Sequence, residues 1–331
     1  MSLPAYLEPL YSAKEMRAAD RFAIEERGVL SLALMERAGA GLAGAVARVA
    51  PSGTVRVVIG GGHNGADGLV AARALRAQGR DVDVLAVVAL DQLRGDPLIA
   101  LERLQGPTPV PFTAFGLTGS AVVVDAILGT GFEGVALEPV AGAIAAINAC
   151  PAQTVAADVP SGLDASTGEV AGPVVQATLT ATNHAPKIGL HVGTGAVLAG
   201  EVEVVDIGIP PGGPAVATAG LITIRARKAA SEDALPPVRT PTVLVSAAEL
   251  GHRLGIGVEE VERRPLRSVR SAAELAAGVV VLLVARPLVA APEGPVAVGT
   301  QPAPAGLRAR IDALLEEGRA PFAAAVAALA G

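Results

Sequence analysis

Three short segments of the sequence carry the polar residues best suited to chemistry. Each lies at the end of an apolar, β-branched run that predicts a buried strand, and each contains glycine that predicts a tight loop. The strands are predicted at 54–60, 121–127 and 154–159. The chemically capable residues at their ends are His63, Asn64, Asp67, Asp125, Asp158 and Ser161.

The carboxyl ends of neighbouring parallel strands form a crevice in which α/β proteins bind ligands. If the three strands are neighbours, Asn64, Asp125, Asp158 and Ser161 meet there. All four offer oxygen atoms, which suits a hard cation or a hydroxyl-bearing substrate and does not suit zinc. The simpler alternative is that each aspartate caps its own loop through its side chain. Two aspartates at adjacent strand ends favour a site.

The glycine-rich turn after the first strand also has two interpretations. Gly60, Gly62 and Gly65 satisfy the GxGxxG spacing, in which a strand, a glycine turn and a helix present backbone N–H groups to a phosphate. Asp67 places a carboxylate where a pyrophosphate would bind, which predicts contact with another kind of group. The alternative is a tight turn with no ligand.

Strands and helices alternate around these segments. Ser12 and Glu15 form a capping box that predicts a helix start, and the small residues of a second helix allow close packing on a neighbour. Such alternation predicts an α/β fold with a mostly parallel sheet covered on both faces. Helices are predicted at 12–27, 32–49, 66–78, 91–105 and 137–149, with further strands at 82–88, 177–182 and 201–207.

A cluster of proline and glycine at 210–214 predicts a domain boundary. The domains are therefore predicted at 1–212 and 241–331, with 213–240 as a linker. The second domain is expected to be a small α/β region. Its predicted elements are a strand at 278–284 and helices at 246–254 and 307–329.

Three basic side chains lie near residue 190. His184 and His191 are predicted to be surface or loop residues. Lys187 either faces an anionic ligand or is a solvated loop lysine.

Composition excludes several classes of protein. A formal net charge of −6 argues against nucleic-acid binding. A single cysteine, Cys150, rules out a disulfide within the chain. The sequence shows no signal peptide and no apolar run long enough to span a membrane, so a cytoplasmic protein is expected.

Four motifs occur in a fixed order: Gly-Gly-Gly-His-Asn-Gly-Ala-Asp-Gly, Asp-Ala-Ile-Leu-Gly-Thr-Gly, Asp-Val-Pro-Ser-Gly-Leu-Asp and Val-Asp-Ile-Gly-Ile-Pro. With Leu-Met-Glu-Arg-Ala-Gly before them, they resemble the YjeF N-terminal family, the NAD(P)H-hydrate (NAD(P)HX) epimerases, over about residues 10–212. The resemblance implies a three-layer α/β/α Rossmann-like fold, usually dimeric. It also implies a substrate, NADHX or NADPHX, which is NADH or NADPH hydrated at C6 of the nicotinamide ring.

The family interconverts the R and S hydrates so that a separate, stereospecific dehydratase can restore the cofactor. By position, the resemblance makes Asp158 the acid/base and assigns Asn64, Asp125 and Ser161 to a potassium ion. The implied substrate-site residues are His63, Asn64, Gly65, Ala66, Asp67, Gly129, Thr130, Gly131, Phe132, Glu133, Gly134, Val135 and Asp158.

Inversion at C6 requires a bond to that carbon to break and form again. The hydroxyl can leave and return, or the ring can open and close, and both routes need proton transfer. A carboxylate whose pKa is shifted by burial can supply it, whereas a bound cation shifts that pKa the other way. Two departures from the family pattern bear on activity. His63 replaces Asn, and Ala66 replaces Gly at a point that matters if the backbone there needs a positive φ.

Residues 241–331 resemble a degenerate fragment of the ribokinase-like, ADP/ATP-dependent NAD(P)H-hydrate dehydratase. Ala247 and Ala248 stand where that family has a substrate-binding His and Gly. Residues 301–306 occupy the area of its Gly-Ser-Gly-Asp signature, which is absent. This part is therefore predicted to lack dehydratase activity and to serve packing, dimerisation or partner docking.

Two other functions remain open from the sequence. An NAD(P)-dependent oxidoreductase would use the GxGxxG turn and an acidic residue after the second strand, where Asp91 lies nearby. A non-catalytic, nucleotide-binding scaffold would retain the fold without the reaction. The first leaves Asp125 and Asp158 unexplained, and the intact Asp158 argues against the second.

Overall fold

The computed structural model describes residues 3–4, 7–213, 217–222 and 242–330. The α-helices are α1 (Ala13–Arg21), α2 (Ser31–Val49), α3 (His63–Ala77), α4 (Asp96–Glu102), α5 (Val140–Ala149), α6 (Gly195–Leu198), α7 (Ala247–Leu254), α8 (Val258–Arg263), α9 (Pro265–Ala276), α10 (Leu307–Glu316) and α11 (Pro321–Leu329). The strands are β1 (Glu8–Leu10), β2 (Val55–Ile59), β3 (Val82–Ala86), β4 (Val110–Pro111), β5 (Val122–Ala126), β6 (Gln153–Ala157), β7 (Leu179–Asn183), β8 (Glu201–Val205), β9 (Ala219–Ile222), β10 (Thr242–Ser246), β11 (Val279–Leu283), β12 (Leu288–Ala290) and β13 (Val296–Gly299).

The first sheet has seven strands in the order β4-β3-β2-β5-β6-β7-β8, and every neighbouring pair is parallel. One face packs on α2 and α3, with Leu42 and Leu69 in the same buried cluster as Val57. The other face packs on α5, where Ile144 joins Val123. Full burial of such a side chain contributes about 1.5–3 kcal/mol. The predicted α/β class with a mostly parallel, two-sided sheet is confirmed.

Small residues on α2 let it approach its neighbours closely. A Cβ built on Gly39 would lie 2.4 Å from the Cβ of Val70 in α3. One built on Gly41 would lie 2.2 Å from the Val205 side chain in β8. Gly39 therefore sets the distance between α2 and the site-bearing helix α3, and Gly41 sets the distance between α2 and β8.

The second sheet has six strands in the order β1-β9-β13-β12-β11-β10. Helices α7 to α9 cover one face and α10 and α11 cover the other. Strand β1 comes from the start of the chain and pairs antiparallel with β9. The N-terminal strand therefore belongs to the second sheet, and β9 lies inside the predicted linker 213–240. The linker residues 214–216 and 223–240 lie outside the described residues.

Several predicted elements change at their ends for local reasons. The capping box is formed, since Ser12 and Glu15 each accept a hydrogen bond from the other's backbone N–H. The helix predicted at 12–27 is an α-helix as far as Arg21 and continues as a π-helix at Phe22–Glu26. The helix predicted at 307–329 is two helices, because Gly318 adopts a positive φ before Pro321 starts α11.

The helix predicted at 91–105 is shorter than expected. A 3₁₀ turn occupies Leu90–Gln92, and α4 covers only Asp96–Glu102. Gly95, with φ of 58°, separates the two, and Pro97 then favours a new helix start.

Polar and ionic contacts join the two sheets. Arg264 of the second region lies 3.2 Å from Glu169 of the first. His191 lies in a turn, the second of its two predicted positions, but it is buried: the side chain is 8% exposed and its Nδ1 lies 3.3 Å from Arg286. Burial, and then the charge of Arg286, lower the pKa of His191 to about 4. The imidazole is therefore neutral at physiological pH.

Within the part of the chain that the structure describes, no helix is long and apolar enough to cross a membrane.

Candidate active site

The glycine-rich turn folds back on itself where β2 ends. A Cβ built on Gly60 would lie 2.2 Å from the Ile127 carbonyl oxygen, and one on Gly65 would lie 2.1 Å from the Gly60 carbonyl oxygen. Gly62 caps α3, which begins at His63. The backbone N–H groups of the first turn of α3 therefore open onto the crevice at the carboxyl ends of the strands.

We expect Gly65→Ala to lower the free energy of unfolding by about 1–3 kcal/mol, because the added methyl group must displace backbone atoms. Gly62→Ala is the matched control. Its φ is −98° and nothing lies within 4 Å of an added Cβ. Urea denaturation of both variants measures the difference. Equal loss of stability in the two would contradict the close approach at Gly65.

Asp158 follows β6 with φ of 62°, a left-handed conformation that is uncommon for residues other than glycine. Its Oδ1 accepts hydrogen bonds from Lys187 Nζ at 2.7 Å and from the Asn183 N–H at 3.2 Å. Its Oδ2 accepts from the Thr130 N–H at 3.0 Å and from the Thr130 hydroxyl. Burial raises the pKa of Asp158, but attraction to Lys187 and the hydrogen bonds outweigh it and lower that pKa. Asp158 is therefore a fixed, ionised carboxylate.

Lys187 is fully enclosed, with 1% of its surface exposed. Its ammonium donates to Asp158 Oδ1, to Thr182 Oγ1 at 2.9 Å and to the Asn183 carbonyl oxygen at 2.6 Å. The interpretation of Lys187 as a solvated loop lysine is wrong, because β7 and the following turn fold its side chain inward. With all three donors used inside the protein, it is the counter-ion of Asp158.

A second buried carboxylate, Asp67, lies on the other side of Asn183. Its Oδ2 accepts a hydrogen bond from Asn183 Nδ2 at 3.1 Å. Burial, and then repulsion from Asp158, raise the pKa of Asp67 well above its usual range. Asn183 thus bridges two carboxyl groups whose pKa values are shifted in opposite directions, an arrangement that separates an acid from a base.

Asp20 belongs to the same electrostatic group and was not singled out from the sequence. It lies near the end of α1, where burial and then repulsion from Asp158 raise its pKa. No sequence signal marked it, because α1 is far from the other site residues in the chain and carries no motif there.

Asn64, Asp125 and Ser161 form a buried network around Leu128. Ser161 donates its hydroxyl to Asp125 Oδ1 at 2.6 Å and its N–H to Asp125 Oδ2 at 2.8 Å, and the Leu128 N–H donates to Ser161 Oγ at 2.8 Å. Asn64 donates to the Leu128 carbonyl oxygen at 2.7 Å. Its Oδ1 is buried and has no hydrogen-bond partner among the residues that the structure describes. The network leaves one amide oxygen available for a ligand.

Asp125 is fully buried, and burial raises its pKa to about 6 despite the hydrogen bonds from Ser161 and Ile127. Asp125 Oδ1 also accepts a hydrogen bond from the Ile127 N–H at 3.3 Å. This is the loop-capping contact that the simpler alternative predicts. Asp125 therefore caps its loop and also joins two strand ends through Ser161.

The remaining predicted site residues differ in position. His63 is exposed and its Nε2 lies 4.0 Å from an Asp96 carboxylate oxygen. Ala66 is buried in α3 and is not among the described residues with a positive φ, so its methyl group causes no backbone strain. Gly65 and Asp67 flank it on the same helix.

The loop 129–135 brings only part of its length to the crevice. Gly129 packs against Asn64, where an added Cβ would lie 3.2 Å from Oδ1, and Thr130 holds Asp158. Phe132 packs against the α5 side of the core. The exposed part of the loop contains Gly131, Glu133, Gly134 and Val135.

Fold and site together define a Rossmann-like α/β protein with a crevice of buried carboxyl groups at the carboxyl ends of its parallel strands. Residues 31–189 match the family model described as YjeF-related protein N-terminus. The chain belongs to this family.

Curated relatives of two kinds are similar to it. An NAD(P)H-hydrate epimerase of Rhodopirellula baltica is 34% identical over 217 residues, covering 63% of this chain and 88% of the relative. One from Pirellula staleyi is 35% identical, covering 62% and 94%. The Bifunctional NAD(P)H-hydrate repair enzyme Nnr of Salinibacter ruber is 41% identical over 227 residues, covering 62% of this chain and 42% of the relative. The chain spans about two fifths of the length of such bifunctional relatives.

A solved structure shows the same fold. The crystal structure of yeast ynu0 aligns with a TM-score of 0.51 and 24% identity, covering 59% of this chain and 86% of the yeast chain.

Proposed function

We propose that this protein is an isomerase that epimerises the R and S forms of NADHX and NADPHX at C6 of the nicotinamide ring, in the repair of nicotinamide cofactors. The observation that carries the proposal is the Asp158–Asn183–Asp67 arrangement, in which one buried carboxyl is held ionised and the other favours its protonated form. The relatives named NAD(P)H-hydrate epimerase support the choice of substrate.

The carboxyl pair supports the route in which the hydroxyl leaves and returns. Protonated Asp67 donates its proton to the C6 hydroxyl, the C6–O electron pair leaves with the oxygen as water, and the N1 lone pair forms an N1=C6 double bond. The negative charge of Asp158 stabilises the resulting cation. Water then adds to the opposite face and Asp158 accepts its proton. In the reverse direction protonated Asp158 donates and ionised Asp67 accepts, and between turnovers a proton passes from Asp158 to Asp67 through water, which restores the starting state.

Three positioning residues hold Asp158 and Asp67 in place. Lys187 keeps Asp158 ionised, and Thr130 fixes its second oxygen. Asn183 donates to both carboxyl groups, which sets their spacing. The loop 129–135 is then placed to cover the hydrated ring, since Thr130 ties it to the base.

We propose that Asn64, Asp125 and Ser161 hold a potassium ion. The donor set fits, because all its free groups are oxygens and the buried Oδ1 of Asn64 lacks a hydrogen-bond partner in the part of the chain that the structure describes. The described residues contain no group of three or more His, Cys, Asp or Glu that could hold a metal. When bound, the ion would supply positive charge beside the buried Asp125.

The potassium proposal predicts a higher melting temperature in KCl than in NaCl of equal ionic strength. A ligand that binds only the folded state stabilises it by about 2.7 kcal/mol at 100 times its dissociation constant. Asn64→Ala should remove the difference between salts. Asn148→Ala is the control, since that amide is already paired with Val174 and Gln176. Identical melting of the unmodified protein in both salts would refute the site.

The function is tested with a racemic NADHX mixture, excess S-specific dehydratase and ATP. Without this protein, only the S half should return to NADH rapidly. With it, we expect the R half to follow at a rate proportional to the concentration of this protein, read as NADH absorbance. A slow R half in the presence of folded protein and KCl would exclude epimerase activity and favour the binding-scaffold alternative.

We propose that residues 241–331 are a degenerate remnant of the dehydratase and carry no dehydratase activity. Glu249 caps the start of α7. Its carboxylate accepts hydrogen bonds from the Ser246 N–H at 2.9 Å and from the Ser246 hydroxyl at 3.0 Å. Ala247 and Ala248 then begin α7 with no functional group to offer. The pure protein with S-NADHX and ATP or ADP should form NADH no faster than the buffer alone. The functional partner is then a separate dehydratase.

We also propose a homodimer, on the basis of the family resemblance. Light scattering of the full chain should give twice the 32.9 kDa of one chain. A monomer at micromolar concentration would exclude it.

A further inference from the structure

A pocket of about 350 Å³ opens beyond the carboxyl ends of β3 and β4, and it has no part in the chemistry described above. Its walls include Val87, Val88, Leu90, Phe112 and Pro139. None of its lining residues carries a charge. A concave, apolar pocket of this size is typical of small-molecule sites.

The pocket continues the acid–base crevice along the edge of the sheet. A Cβ built on Gly61 would lie 3.6 Å from the Val88 side chain, so the glycine turn forms the border between the two. The sheet order β3-β2-β5-β6 separates Val88 from Asp158 by three strand spacings. At about 4.8 Å each, this is about 14 Å. The amino end of α3 lies between them.

Backbone groups at the pocket are available to a ligand. The Val87 N–H pairs with the Ile59 carbonyl oxygen at 2.9 Å. Within the described ranges, the next residue, Val88, pairs neither its N–H nor its carbonyl oxygen with another backbone group. A planar heterocycle between apolar walls could therefore hydrogen-bond along one edge.

We infer that this pocket binds the adenosine end of the dinucleotide substrate, an inference that rests on the proposed function. Adenine is flat, uncharged at neutral pH and bears donors and acceptors only at its edge, which matches apolar walls beside free backbone groups. The pyrophosphate would then lie at the amino end of α3, where unpaired N–H groups favour an anion. The pocket, the amino end of α3 and the acid–base crevice thus follow one another in the same order as the adenosine, the pyrophosphate and the nicotinamide end of a dinucleotide.

This placement also resolves the position of Asp67. Its carboxylate was expected to conflict with a pyrophosphate at the glycine turn. The structure directs it instead to Asn183 at the end of β7, on the opposite side of β2 from the pocket. The carboxylate serves the ring end, and the first turn of α3 remains available for phosphate.

The test fills the pocket by Val88→Trp. The matched control is Val110→Trp, on the neighbouring strand β4, where the valine is 51% exposed and does not line the pocket. The first readout is the binding of AMP by calorimetry. We expect Val88→Trp to weaken AMP binding by about 10-fold or more, on the scale of a misfit in an apolar pocket, and Val110→Trp to leave it within about 2-fold. Circular dichroism and thermal melting confirm folding of both.

The second readout compares hydrated NADH with hydrated reduced nicotinamide mononucleotide, which lacks the adenosine. The preference of the protein for the longer substrate, as a ratio of kcat/KM values, should fall about 10-fold in Val88→Trp and stay constant in Val110→Trp. Unchanged AMP affinity in folded Val88→Trp overturns the inference even if epimerisation is observed. Loss of AMP binding in Val88→Trp upholds the pocket even if no epimerisation is found, because that readout needs no reaction.

Discussion

Replacing Asp158 by asparagine should slow the epimerisation of NADHX by about 10²–10⁴-fold, the usual contribution of a positioned acid or base. Asparagine keeps the shape of the side chain and can still accept from Thr130, but it cannot take a proton from water or balance a cationic ring. The expected loss lies in kcat, with a smaller change in KM, because the lost interaction strengthens in the transition state. Coupled dehydratase kinetics measure both parameters.

The substitution also leaves Lys187 buried without its counter-ion, so folding needs its own control. The double variant Asp158→Asn with Lys187→Met removes both charges and should recover stability without recovering activity. Asp81→Ala is a matched surface control, because Asp81 precedes β3 at the opposite end of the sheet and is exposed. A folded Asp158→Asn protein with activity within about 3-fold of the unmodified chain would show that Asp158 is not the acid/base.

Replacing Lys187 by methionine should lower the free energy of unfolding by about 3–5 kcal/mol at neutral pH, because it breaks a buried ion pair and leaves Asp158 as an uncompensated charge. Lys14→Met is the matched control, since that lysine lies exposed on α1. Its substitution should change stability by no more than about 0.5 kcal/mol. Urea denaturation at pH 7.5 gives both values.

The pH dependence of this loss has a definite sign. In the unmodified chain the pKa of Asp158 is lowered, so its contribution to stability is complete above the unfolded pKa of about 4 and is lost as the pH falls through the folded value. Without Lys187, burial is opposed only by the hydrogen bonds to Asp158, so the pKa of Asp158 rises and protonation on acidification stabilises the variant. The gap between the two proteins should therefore narrow as the pH falls from 7.5 toward 4. A gap that widens on acidification would contradict the ion-pair assignment.

The parts of the site that could be predicted from the sequence are those encoded by local patterns. The buried runs of β2, β5 and β6 fix the three strands, and parallel strands bring their carboxyl ends to one edge. That reasoning places Asn64, Asp125 and Ser161 together, and the structure joins them through Leu128.

The parts that could not be predicted depend on contacts between distant segments. Lys187 and Asn183 carry no motif, and only the docking of β7 beside β6 turns them toward Asp158. Asp20 reaches the site from α1. The left-handed backbone of Asp158 likewise follows from the turn between β6 and Pro160. The resemblance implies that Asp158 is the acid/base, but it does not include Lys187, which pairs with Asp158 in the structure.

Strand β1 gives the molecule an interlocked architecture. Among the described strands it pairs with β9 alone, and the next residue, Tyr11, pairs through its backbone with the segment around Lys187. A chain that ended at residue 212 would lack β9, the strand with which β1 pairs. Its β1 would remain attached to the segment that carries Lys187, the counter-ion of Asp158. In this chain the second sheet therefore supports the position of Lys187 through β1 and Tyr11.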